Sequence, residues 1–281
     1  MIYFHSDSKI EQALANALSV DNYIIPISLS TFDTLRDLEL LLPDNTNVQS
    51  VLYSFQDLSH YKHIDSFKYE INKVEIILQF LKQKTDFNFI LINYPGAYCN
   101  SDNLFLQCKG QIETRIIESV SHCTVLKIQG IHTHDPLIHN LHNLLYLPNT
   151  NVYQIPSKQS QVIYSVSLHH LHLTINKVKS LRTVVHFDVF DLILDLHEYL
   201  HLFSINIPIQ KRTSTYLLLK SYLGLLCAPT MLELFMRKSV PMYNGRTERE
   251  LQIIYNTSIG TTLHTTDFNY TQPQATYRLA K

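Results

Sequence analysis

Strands alternating with amphipathic helices predict an α/β domain built on a largely parallel sheet. Three observations carry that prediction. Short apolar runs at Ile2–Phe4, Val48–Phe55, Phe89–Ile92 and Thr124–Ile128 have strand length. The segments between them repeat their apolar residues at i, i+3, i+4 and i+7, the spacing of one helical face. Helix-long segments joining consecutive strands are the connections that parallel pairing needs.

The elements follow in order. Ile2–Phe4 is a strand, and Ile10, Ala13, Leu14, Ala17 and Leu18 mark the helix after it. Tyr23–Ser28 is a second strand, with Pro26 placing it at an edge. Leu35–Leu42 reads as a short helix closed by Pro43, and Val48–Phe55 as a third strand. Ile71, Val74, Ile77, Leu78 and Leu81 define a helix, and Phe89–Ile92 a buried strand. A helix over Leu104–Ser119 and a strand over Thr124–Ile128 complete this half. Beyond Pro148, strands are expected at Val162–Val166, Thr183–Phe187 and Ile205–Ile209, with helices at Leu168–Val178 and Phe190–Leu202. Tyr216–Leu226 is strongly apolar, Met231–Arg237 and Glu248–Asn256 read as short helices, and the tail after Thr262 as a surface-wrapping or mobile end.

Phe105, Lys109 and Glu113 recur every four residues and share one face of the Leu104–Ser119 helix. Ile112, Ile116, Ile117 and Val120 form the stripe that docks it on a core. This helix resembles the Tyr-x-x-x-Lys helix of the extended short-chain dehydrogenases, the NAD-dependent epimerase/dehydratase family, with Phe105 at the tyrosine and Lys109 at the lysine. Four further segments resemble that family in the same order: MIYFHSDSKIEQALANAL, FKYEINKVEIILQFLK, FILINYPGAYC and TVLKIQGIH. The resemblance covers roughly residues 1–190. It implies a Rossmann-like domain over residues 1–150 and a smaller α/β lobe over 151–281, part of it returning to the main domain.

The resemblance also assigns positions. The family's three loop glycines fall on His5, Ser8 and Glu11, its asparagine on Asn72, and its catalytic serine, tyrosine and lysine on Tyr94, Phe105 and Lys109. The glycines exist so that backbone can approach a pyrophosphate, and none is present. Glu11 places a carboxylate in a helix's first turns, where the dipole favours a ligand's negative charge, and it repels phosphate. A phenyl ring at Phe105 has no proton to give. Without tyrosine and glycine loop, Lys109 reads as a solvated helix lysine. Tyr94 is either a stand-in proton donor or an aromatic filling the cleft mouth, and the latter is favoured. The end of the second strand, Ser28–Leu29–Ser30, offers no acid for a ribose, leaving Asp33 or Arg36 only if the loop curls back. The expectation is a degenerate, non-catalytic member with no cofactor. The alternative is a divergent oxidoreductase or epimerase using NAD or NADP on a nucleotide sugar or small carbonyl compound.

Composition agrees with part of this. Only 6 glycines occur in 281 residues, against about 7 % in an average protein. The net charge of −1, without a basic block, argues against nucleic acid as a partner. No apolar run reaches the roughly 20 residues of a membrane helix. Cys99, Cys108, Cys123 and Cys227 show no CxxC spacing and read as reduced thiols of a cytoplasmic protein. The 15 histidines include His132, His134, Asp135, His139, His142, His169, His170 and His172, but no second motif fixes a metal spacing, so no metal is expected. Lys211, Arg212 and Arg246 read as scattered solvated charges rather than a pocket for a phosphorylated ligand. A protein partner is expected, and a homodimer is left open.

Overall fold

The computed structural model describes residues 1–42, 48–54, 64–82, 84, 86–101, 104–128, 130–131, 146–147, 152–156, 162–195 and 209–212. The predicted fold class is what it contains. In chain order the elements are β1 (Ile2–His5), α1 (Lys9–Asp21), β2 (Ile25–Ser28), α2 (Leu35–Leu41), β3 (Ser50–Tyr53), α3 (Ile64–Leu81), β4 (Asn88–Asn93), α4 (Leu104–Ser119) and β5 (Cys123–Lys127). After them come β6 (Gly130–Ile131), β7 (Tyr146–Leu147), β8 (Val152–Pro156), β9 (Val162–Val166), α5 (Leu168–Val178), β10 (Val184–Asp188), β11 (Leu192–Asp195) and β12 (Ile209–Arg212).

Six strands form one sheet in the order β10-β5-β4-β3-β1-β2. Every neighbour pair in it is parallel. β2 is an edge strand, as Pro26 requires. The strands alternate cleanly between two cores. Phe4, Val51, Phe89 and Val125 face the side of α2, α3 and α4. Tyr3, Leu52, Ile90 and Leu126 face α1 and α5. Period-two alternation with both faces apolar is what a sheet covered by helices on both sides demands. β10 returns from the second half of the chain to pair with β5, while β6–β9–β11 and β7–β8–β12 form two small sheets. No helix among the described residues is long and apolar enough to cross a membrane.

Two expectations need correcting. The segment 190–202, expected as a helix, contains the strand β11, which pairs antiparallel with β9. A short apolar run fits either period, and here the partner strand decided. The short strand expected to end at Ile209, before Lys211, instead runs on through Ile209–Arg212, so Lys211 and Arg212 belong to a strand paired with β8, and positions 205–208 lie outside the described residues. The expected helices at Met231–Arg237 and Glu248–Asn256, the apolar stretch Tyr216–Leu226 and the tail after Thr262 lie outside the described residues.

Chain order and sheet order part company at one place. From β1 the chain steps outward to β2, then crosses back so that β3 lies on the other side of β1. The carboxyl ends of β1 and β3 therefore flank the point where successive connections diverge, the crevice in which open α/β sheets bind ligands.

The loop after β4 is drawn tightly over α4. Pro95 and Gly96, the latter at φ 75°, make a turn closed by Ala97 N–H on the Tyr94 carbonyl at 3.2 Å. The loop then crosses α4 at Gly110, where an added Cβ would lie 2.2 Å from the Tyr98 carbonyl carbon and 2.6 Å from Cys99 N. Alanine is the better helix former by about 1 kcal/mol, but overpacking against fixed backbone costs about 1–3 kcal/mol. Gly110→Ala is expected to destabilise the protein by up to roughly 2 kcal/mol in urea unfolding, while Gln111→Ala on the exposed side does not. A stabilised Gly110→Ala variant would mean that this loop does not rest on the helix.

Candidate functional site

The turn between β1 and α1 lies at the divergence point. Ser8 caps α1, and its hydroxyl accepts the Glu11 N–H at 3.3 Å. The Glu11 side chain does not extend into solvent. It turns inward, is 1 % exposed, and its carboxylate accepts hydrogen bonds from Ser6 Oγ, from Ser8 Oγ at 2.8 Å, and from Ser54 Oγ just beyond β3. Tyr3 and Ser54 share a further hydroxyl bond of 2.8 Å. Burial pushes the Glu11 carboxyl up to about 7, against the three serines and the charge of Lys109. His5, also buried, packs at a tilt against Tyr3 with ring centres 5.1 Å apart. Asp7 accepts from Ser30 Oγ at 2.7 Å, which ties this turn to the one after β2.

Behind it, α3 and α4 meet through a second polar group. Lys109 is 4 % exposed, and its Nζ donates to Glu70 Oε1 at 2.7 Å. The Tyr53 hydroxyl donates to the same oxygen at 3.0 Å. Glu70 is fully buried, which raises its carboxyl, and its Oε2 has no hydrogen-bond partner among the described residues. Burial beside Glu70 likewise pushes the Cys108 thiol up to about 12. Phe105 is fully buried, with the Tyr94 ring edge-on to it at 5.0 Å and Lys109 Nζ 5.6 Å from its centre.

One turn further along α4, Glu113 makes a third group. Its carboxylate accepts from Asn93 Nδ2 on β4 and Lys127 Nζ on β5, and pairs with His186 Nε2 on β10 at 3.1 Å. Burial opposes ionisation, but these three partners together hold Glu113 below the usual carboxylate range. The face Phe105–Lys109–Glu113 is thus buried along its whole length.

The sequence-assigned positions sort as follows. His5, Ser8 and Glu11 lie in one turn, and Tyr94, Phe105 and Lys109 cluster on α4 and the loop above it. Lys109 is not a solvated lysine as expected, because Glu70 meets it inside the core. Asn72 does not join the site: it is exposed, within α3 rather than ahead of it. The α3 residue that faces Lys109 is Glu70, two positions earlier. Asp33 pairs with Lys73 at 2.7 Å instead of curling back, and Arg36 is exposed. His169 is exposed while His172 is buried, its Nε2 2.9 Å from Asn176, so the two do not converge. No group of three metal-ligating side chains occurs among the described residues, and His132, His134, Asp135, His139 and His142 lie outside them. Sequence reasoning missed Glu70, Tyr53, Ser54 and Tyr3. A signal existed for one of them: Glu70 lies one helical turn ahead of Val74, in phase with the apolar stripe Val74–Ile77–Leu81.

No family model matches the sequence, and no curated protein matches it. Solved structures do. A dTDP-4-dehydrorhamnose reductase from Bacillus anthracis, in complex with NADP, superposes with a TM-score of 0.58 at 9 % identity over 84 % of this chain and 97 % of its own. The UDP-glucose 4-epimerase of Thermotoga maritima, with UDP-glucose, gives 0.55 at 10 % identity over 75 % and 86 %. The NAD-dependent NDP-hexosamine 5,6-dehydratase TunA, involved in tunicamycin biosynthesis, gives 0.56 at 11 % over 94 % and 92 %. The chain has the fold of the NAD-dependent epimerases, dehydratases and reductases. At these identities the likeness is one of fold.

Removing one member of a buried ion pair strands the other charge, at about 3–5 kcal/mol. Lys109→Met and Glu70→Gln are each expected to lower stability to urea by that order. The double variant should lose much less than their sum, because neither charge is then left alone. A coupling below about 0.5 kcal/mol would mean that Lys109 does not rest on Glu70 in solution.

Proposed function

We infer that this chain is a non-catalytic descendant of the epimerase/dehydratase fold, retained as a scaffold for a protein partner or a small ligand. The observation that carries this reading is Glu11. Its carboxylate, held by three serines, stands at the turn where nucleotide-binding members of such sheets need open backbone and a free helix terminus. The residues there do not fit a dinucleotide pyrophosphate. Glycine is replaced by side chains at His5, Ser8 and Glu11, and when ionised Glu11 adds negative charge where phosphates would lie. Phe105 lacks a transferable proton, and Lys109 is engaged by Glu70 rather than presented to a ribose.

A second reading has its own support. Solved structures of the same fold are described with NADP, as NAD-dependent, or with a UDP-sugar, and this chain keeps a lysine on α4 at Lys109. On that reading the protein is a divergent NAD(P)-dependent oxidoreductase or epimerase acting on a nucleotide sugar or small carbonyl compound, with Tyr94 as proton donor. We propose a cytoplasmic protein under either reading, and a second lobe from residue 151 on is supported only by the way β10 returns to the main sheet.

Isothermal titration calorimetry with NAD(H) and NADP(H) separates the two. The scaffold reading expects binding no tighter than millimolar for each. Micromolar binding, with the two cofactors competing, would overturn it in favour of the enzyme.

A further inference from the structure

We draw no further inference here: the strongest candidate, the exposed apolar surface of Val20, Tyr23, Leu40 and Leu41 at the ends of α1 and α2 and the start of β2, carries nothing because nothing in the structure shows what covers it.

Discussion

One buried cation organises the carboxyl edge of this sheet. Lys109 lies inside the core between α3 and α4, bonded to a fully buried Glu70 and close enough to favour ionisation of Glu11. An unpaired charge in such a place costs several kcal/mol, so the positions of α3, α4 and the β1–α1 turn are set jointly. Each carboxylate must reach donors from more than one part of the chain. Glu70 takes Lys109 from α4 and Tyr53 from β3, Glu11 takes Ser6 and Ser8 from the β1–α1 turn and Ser54 just beyond β3, and Glu113 takes Asn93, Lys127 and His186 from three adjacent strands. Apart from Glu70 Oε2, these polar groups satisfy one another.

That closure gives α4 a different use from the one its sequence resemblance implies. A helix bearing tyrosine and lysine one turn apart presents both to a cofactor. Here Phe105, Lys109 and Glu113 are all buried, and the loop after β4 rests on the helix at Gly110. Phe105 packs against Tyr94, so two of the three positions that the resemblance assigns to catalysis contact each other. A shared sheet does not settle the chemistry, because the core is set by apolar periodicity while a site depends on a few polar side chains.

The fold was largely legible because its signal is periodic and local. The bounds of α4 and α5 coincide with those read from sequence, and β1, β4 and β5 lie within a residue of them. The helix expected at 190–202 failed because Leu192–Asp195 carries no period of its own and was decided by pairing with β9. The site was legible only where it is contiguous. His5, Ser8 and Glu11 lie in one turn and are found together, whereas Ser54 and Tyr3 reach Glu11 from separate strands and carry no local mark. Lys109 was misread for a related reason. A lysine on an amphipathic helix ordinarily faces water, and only the three-dimensional approach of Glu70 makes it a core residue. Asn72 came from the family resemblance, whereas helical phase turns Glu70 to the core and leaves Asn72 exposed.

The central claim is that Glu11 and Lys109 are committed to internal partners and leave no place for a dinucleotide. A crystal structure grown in the presence of millimolar NAD or NADP tests it most directly. The account predicts Glu11 on Ser6, Ser8 and Ser54, Lys109 on Glu70, and no cofactor density between the ends of β1 and β3. A pyrophosphate at the start of α1, with Glu11 swung outward and Lys109 turned to a ribose, would contradict it.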